Sequence, residues 1–141
     1  MGMYTELIFG ASLKNLPENV IEALEYSINN KENVSQEALN FVAKYELLRI
    51  FKDSSDSFGA HRNTPTFVYD EIGKHWVLST RTSCKNYSNE IEQFLEYIEP
   101  YIEFGSGPNN IYAYVQYEVD DFPTIYCKKG VFDWINKEYL V

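Results

Sequence analysis

Residues 3–13 alternate apolar and polar side chains with a period of two, and this alternation constrains the fold more than any other feature of the sequence. Because successive side chains of a β-strand point to opposite faces, the pattern predicts a strand with one apolar face. Residues 75–83 alternate in the same way and predict a second such strand. A sheet with an apolar face needs a covering layer, which amphipathic helices elsewhere in the chain can supply. The apolar side of the first strand consists of Thr5, Leu7, Phe9, Ala11 and Leu13.

Three segments have the apolar period of 3.6 residues that is typical of amphipathic helices. The first opens with Pro17-Glu18, a pair that suits the first turn of a helix. The second runs over residues 35–51, although its end, Leu47–Phe51, also fits a short buried strand. The third begins at Tyr87–Glu90, and Pro100 should kink it or end its first part.

The predicted order of elements is β-α-α-β-β-α-β-β. It indicates a single α+β domain over residues 3–141, with a largely antiparallel five-stranded sheet and helices packed on one face. Met1 and Gly2 are interpreted as a cloning remnant. Lys52–Asn63 is predicted to be a long loop that is functional or mobile, and residues 131–141 are predicted to form a helical turn. The remaining strands are predicted at Thr66–Tyr69, His75–Cys84, Ile111–Val119 and Thr124–Lys128.

The charge balance narrows the classes of partner. The chain of 141 residues has 21 acidic and 12 basic residues, for a formal net charge of −9. Nucleic-acid binding relies on Lys and Arg to neutralise phosphates, so direct nucleic-acid binding is disfavoured. An acidic face can instead dock on a basic surface that normally holds nucleic acid, although acidic surfaces also simply confer solubility. No apolar run approaches the ~18 residues of a membrane span, so we expect a cytoplasmic protein without membrane contact.

The sequence has two cysteines, Cys84 and Cys127, and both fall in predicted strands. They could neighbour each other across a sheet, but two cysteines do not make a disulfide framework. We favour buried free thiols in a reducing compartment.

The sequence contains no spacing of His, Cys, Ser or Gly that marks a common catalytic, metal or phosphate site. Asp120-Asp121 could hold a hard cation, but two Asp residues are also typical of a turn. We therefore expect no catalytic residue, no metal and no cofactor, and a non-enzymatic protein is favoured while an enzyme stays open. In the enzyme or nucleotide-sponge alternative, tyrosines stack a base and the ligand-binding residues are His61, Arg62, His75 and Arg81.

The third predicted helix carries an acidic stripe. Like charges four residues apart destabilise a helix by a few tenths of a kcal/mol, and the sequence tolerates this cost repeatedly. The stripe is either an ordinary solvated face or an electrostatic docking surface. It consists of Glu92, Glu96, Glu99 and Glu103, at positions i, i+4, i+7 and i+11.

Twelve tyrosines suggest a second contact surface on the sheet face that the helices leave open. Tyrosine is enriched in protein interfaces, but it also has a high β-propensity. We expect Tyr112 and Tyr114 to be contact residues, because they alternate with Ile111, Ala113 and Val115. The expected open face comprises Tyr4, Glu6, His75, Ser79, Arg81, Tyr112, Tyr114, Gln116 and either Tyr126 or Lys128.

Four stretches together resemble small accessory proteins of unknown function that bacteriophages and prophages encode. They are MYTELIFGASL, LPENVIEALEYSI, NYSNEIEQFLEYIEPYIEFGSG and IYAYVQYE. The resemblance covers most of the chain and rests on packing patterns. It implies a phage product of a class rich in proteins that bind and disable a host defence component or its nucleotide signal.

The leading hypothesis is therefore a binding protein that inhibits a host protein through an acidic, tyrosine-rich surface. The alternatives are the nucleotide sponge or phosphoesterase-like enzyme described above and a structural homo-oligomer. An exposed aromatic sheet face would favour the homo-oligomer.

Overall fold

The computed structural model describes residues 4–53, 63–128, 130–133 and 138–140. Within these ranges the chain forms an α+β fold, which confirms the predicted class. The helices are α1 (Glu18–Asn29), α2 (Gln36–Lys44), α3 (Glu46–Asp53) and α4 (Glu90–Ile98). The strands are β1 (Thr5–Leu13), β2 (Thr66–Asp70), β3 (His75–Cys84), β4 (Ile102–Gly105), β5 (Ile111–Tyr117), β6 (Thr124–Cys127), β7 (Gly130–Asp133) and β8 (Glu138–Leu140).

The described strands form one antiparallel sheet in the order β2-β3-β1-β5-β6-β7-β8, with β4 also paired to β1. β1 is the central strand: it pairs with β3 along its whole length. On its other side it pairs with β5 through Thr5–Phe9 and with β4 through Ala11–Leu13. All five predicted strands are present, and β4, β7 and β8 enlarge the sheet.

The helices cover one side of the sheet, which we call the inner face. The alternating side chains of β1 that were predicted to be apolar lie here and are buried, as the period of two requires. They join the apolar stripes of α1, α3 and α4 in one core cluster. The opposite side, the outer face, carries exposed side chains such as Ile8 and Arg81.

Two predicted helical segments differ from the structure. The helix expected over 35–51 is split at Tyr45, whose backbone is extended between α2 and α3. Its end is helical, so the alternative strand over Leu47–Phe51 does not form. The helical turn expected over 131–141 is wrong for the described residues of that range, because β7 and β8 pair as strands. Pairing with the neighbouring strands decides the structure of such a short segment more strongly than helix propensity does.

Pro100 ends the third helix, as predicted. α4 stops at Ile98, a single 3-10 turn follows at Glu99–Tyr101, and β4 begins at Ile102. Proline is accepted in the first turn of this short helix but cannot donate to the preceding α-helical ladder. The chain therefore turns from the helical layer directly back into the sheet.

Candidate functional site

The acidic stripe expected along one helix is wrong in its geometry, because the helix ends too early. Glu92 and Glu96 lie on α4, Glu99 lies in the 3-10 turn and Glu103 lies on β4. Three of these carboxylates already have partners. Glu92 accepts a hydrogen bond from Asn86 Nδ2 at 2.8 Å, Glu99 accepts one from the Tyr112 hydroxyl at 3.3 Å, and Glu103 pairs with Lys14 Nζ at 2.8 Å.

Glu96 is the member of the stripe that keeps the expected character. It is exposed on α4, and among the described residues it makes no ion pair or hydrogen bond. Its carboxylate is thus available to a partner.

Tyr112 was expected on the open face, and that expectation is wrong. Its side chain is 2% exposed and belongs to the core cluster. β5 pairs Ile111 with Cys127 but Ala113 with Tyr126, so Tyr112 is an extra residue on its strand. Such a β-bulge places two successive residues on nearly the same side and interrupts the alternation.

The environment of Tyr112 explains its burial. Its ring meets Phe9 edge-on, with centroids 5.9 Å apart, and contacts Tyr126 at 6.2 Å. Burial and the nearby Glu99 carboxylate raise the Tyr112 pKa well above its usual range. Tyr126 is also packed against the inner core, and burial raises its pKa too.

Tyr114 does lie on the outer face. It is half-buried and stands opposite Ile8 of β1 and Ile125 of β6. The expected neighbours Glu6, Ser79 and Arg81 share this face, and Arg81 Nε is 3.2 Å from the Glu6 carboxylate. The sheet register therefore confirms the placement of this part of the open face.

The outer face also carries a row of side chains, with exposed apolar residues at both ends, that the sequence did not single out. Val68 of β2 stands opposite Val77 of β3, Val77 opposite Ser12 of β1, and Ser12 opposite Phe104 of β4. Val68 is 57% exposed and Phe104 is 41% exposed. Ile8, four residues from Ser12 along β1, adds a further exposed apolar side chain to this face.

The nucleotide alternative rests on four residues, and the structure describes two of them, His75 and Arg81, which it does not bring together. His61 and Arg62 lie outside the described residues. His75 and Arg81 are both on β3 but six residues apart, which corresponds to about 20 Å along a strand. His75 Nε2 instead lies 3.5 Å from the Asp70 carboxylate, and its ring meets Phe104 edge-on.

A different tyrosine surface forms where α2, α4 and the 3-10 turn meet. We call it the tyrosine hollow; its volume is about 500 Å³. Ring centroids lie 5.3 Å apart for Tyr45 and Tyr97 and 5.6 Å apart for Tyr97 and Tyr101. Phe41, buried beneath, contacts both Tyr45 and Tyr97. The hollow is lined by Lys44, Tyr45, Gln93, Glu96, Tyr97, Pro100 and Tyr101.

The three tyrosine rings of this hollow are half-buried and hold one another in place. Burial raises the Tyr97 pKa well above its usual range, and a hydrogen bond with Tyr101 raises it further, so the Tyr97 hydroxyl stays neutral. Lys44 Nζ lies 5.6 Å from the centre of the Tyr45 ring, within the range of a cation–π contact. The hollow therefore combines rigid aromatic area, a cation-accepting ring and the carboxylate of Glu96.

The sequence did not single out Tyr97 as a contact residue, and Tyr45 fell inside a predicted helix that is in fact interrupted there. The spacing of Tyr97 and Tyr101, four residues apart beside Glu96, is the signal that could have pointed to this surface. The contribution of Tyr45 depends on how α2 packs against α4, which the local pattern does not specify.

A second hollow, which we call the polar hollow, lies where the end of the sheet meets the start of α4. Its volume is about 360 Å³. None of its lining residues is shared with the tyrosine hollow. It is lined by Thr5, Lys85, Asn86, Tyr87, Asn89, Glu92, Val115, Tyr117, Asp120 and Thr124.

Both cysteines are buried and neither is in a disulfide, as predicted. They are not neighbours: β1 and β5 separate Cys84 on β3 from Cys127 on β6 by about 14 Å across the sheet, and the register places the two at opposite ends of β5. Burial raises the pKa of the Cys84 thiol to about 11.

In the described part of the chain, no three His, Cys, Asp or Glu side chains cluster closely enough to hold a metal ion. The helices described there are also too short or too polar to cross a membrane. No protein-family model matches the sequence, and comparison with curated proteins and with solved structures found no similar chain.

Proposed function

We propose that this chain is a non-enzymatic binding protein that associates with a basic surface of another protein through the tyrosine hollow. The observation that carries the proposal is the contact between three half-buried tyrosine rings, Tyr45, Tyr97 and Tyr101, beside the exposed carboxylate of Glu96.

Tyrosine supplies large amphipathic contact area with few rotatable bonds, which is why it is common among the residues that dominate binding energy. In the tyrosine hollow the rings already pack against each other and against Phe41. Little side-chain freedom then remains to be lost on association, and this loss is a main cost of forming an interface.

Charge favours a basic partner. The net charge of −9 attracts a cationic surface from a distance, and Glu96 offers a local acceptor for an Arg or Lys side chain. A partner cation can also lie over a tyrosine ring, in the way that Lys44 lies over Tyr45.

The biological part of the proposal follows from the resemblance to phage and prophage accessory proteins. On that basis the partner is a host defence protein in the host cytoplasm, and association inhibits it. A basic surface that normally holds nucleic acid is the natural target, since covering it with an acidic protein blocks its ligand.

Capture of partners from a bacterial host lysate tests this proposal. Wild-type protein, Glu96→Lys and Glu71→Lys are compared, because both variants change the net charge equally and Glu71 is exposed in the β2–β3 turn, outside the tyrosine hollow. We expect Glu96→Lys to lose a partner that Glu71→Lys retains. Equal capture by both variants would refute a role for the tyrosine hollow.

A second candidate function is self-association through the outer face. Val68 and Phe104, the two exposed apolar side chains at the ends of the row, favour it, because exposed apolar side chains that lie near each other can mark a contact surface. Light scattering on the eluting protein should then report a dimer or larger species that Phe104→Lys converts to monomer. A monomeric wild-type protein at high concentration would exclude this function.

A further inference from the structure

We propose that the polar hollow binds a small hydroxylated organic amine, of the amino-sugar or amino-alcohol class. This inference does not depend on the proposed protein-binding function, because the two hollows share no residue.

The first observation is an unsatisfied hydroxyl at the hollow. Thr5 lines it and is only 1% exposed, and its Oγ1 has no hydrogen-bond partner among the described residues. A buried hydroxyl without a partner costs free energy, so such groups are rare unless a ligand or water completes them. A ligand hydroxyl could both donate to and accept from Thr5, whereas the neighbouring strand residues Cys84 and Tyr117 do not satisfy it.

The second observation is the charge of the lining. The carboxylates of Glu92 and Asp120 outnumber the single ammonium of Lys85. The whole chain adds a net charge of −9, which concentrates cations and repels anions. An ammonium group fits this balance better than a phosphate or a carboxylate does.

The third observation is that part of the lining is held in position. Asn86 donates from Nδ2 to Glu92 at 2.8 Å, while its Oδ1 accepts from the backbone N–H of Ile91 at 2.9 Å. The amide thus links the Glu92 carboxylate to the first turn of α4. Two further lining residues are also joined: the backbone N–H of Asp120 donates to the Tyr117 carbonyl at 3.0 Å.

Aromatic rings complete the lining. Tyr117 is partly exposed and Tyr87 largely so. Tyrosine faces attract ammonium groups and pack against the C–H faces of sugar rings. At about 360 Å³, the hollow lies at the small end of the range of ligand sites, which suits one monosaccharide or smaller amine.

The test is an NMR titration of the intact protein with glucosamine, glucose and glucose 6-phosphate, which share a ring and differ in charge. We expect saturable shifts of backbone signals at Thr5 and around Asn86 with glucosamine, at least about tenfold weaker binding of glucose, and no binding of the phosphate. Equal binding of glucose and glucosamine would overturn the assignment of the amine. So would the absence of saturable shifts at about 50 mM glucosamine, a weak but measurable affinity range.

Variants then separate the site from the fold. Thr5→Val replaces the hydroxyl with a methyl group of similar shape, and Glu92→Gln removes one charge. Each should weaken glucosamine binding at least about fivefold, whereas the matched variant Glu96→Gln, in the tyrosine hollow, should bind as wild type does.

The melting temperature serves as the folding control. It should not fall for Thr5→Val, because no protein hydrogen bond is lost. Unchanged glucosamine affinity in both Thr5→Val and Glu92→Gln would overturn the proposal. Such a result would leave the protein-binding function untouched, since that function is tested at Glu96.

Discussion

Replacing Tyr112 and Tyr114 one at a time by alanine tests the β-bulge in β5. The alternating pattern places the two side chains on the same face, and so it predicts similar costs. The bulge instead buries Tyr112 in the core and leaves Tyr114 half-exposed on the outer face.

The burial of each side chain sets how much its removal lowers the free energy of unfolding. Truncating a buried aromatic side chain to alanine costs about 3–5 kcal/mol, and Tyr112 also loses its hydrogen bond to Glu99. For Tyr114, which is half-buried, we expect about 1–2 kcal/mol from the smaller area that it removes from water. The difference in the free energy of unfolding should therefore be about 2–3 kcal/mol.

Urea unfolding measures this difference. With a slope of about 1–3 kcal/mol per molar urea, the midpoint of Tyr112→Ala should lie about 1–2 M below that of Tyr114→Ala. Tyr112→Phe serves as a control that keeps the ring and should cost only about 1 kcal/mol. Equal midpoints for the two alanine variants, or a lower midpoint for Tyr114→Ala, would refute the bulge.

Three further predictions concern stability. Burial raises the pKa of the Cys84 thiol from 9.0 in the unfolded chain to about 11 in the folded one. The contribution of this thiol to the stability of the fold is therefore fully present below pH 9 and is lost as the pH rises to 11. The stability gap between wild type and Cys84→Ala should therefore narrow by about 2 kcal/mol between pH 8 and 11, and a constant gap in urea unfolding would contradict this. Glu103→Gln breaks an ion pair with Lys14 at the surface. It should lower the free energy of unfolding by about 0.5 kcal/mol at low salt and by almost nothing in 1 M NaCl, and a cost unaffected by salt would count against the pair. Asn29→Ala removes the hydrogen bond from Asn29 Nδ2 to the Phe67 carbonyl on edge strand β2. It should lower the free energy of unfolding by about 1 kcal/mol and speed amide exchange in β2. Unchanged exchange in β2 would show that this bond does not hold the edge strand in place.

The central strand β1 was predictable because successive side chains of a strand point to opposite faces, so alternating apolar and polar residues indicate a strand directly. Every second side chain from Thr5 to Leu13 is buried, and β3 repeats the pattern beside it. The end of α4 was equally predictable, since the missing N–H of Pro100 acts locally.

The remaining features depend on partners that are distant in sequence. The extra residue Tyr112 is defined only by the pairing of β5 with β6, and a one-residue change in pairing reverses which side chains are buried. The break at Tyr45 places its ring against Tyr97, 52 positions later. The tyrosine hollow is assembled from these long-range contacts, and so the sequence predicted an acidic, tyrosine-rich surface but selected Tyr112 rather than Tyr97 and Tyr101.

Hydrogen–deuterium exchange of the protein with and without its captured partner tests the central claim most directly. We expect the partner to slow exchange at residues 93–101 and around Tyr45, the two segments that contribute the lining of the tyrosine hollow. Exchange in β3, whose exposed side chains lie on the outer face, should stay unchanged. Protection confined to β3 and β1, with none at residues 93–101, would contradict the proposal that the tyrosine hollow is the binding surface.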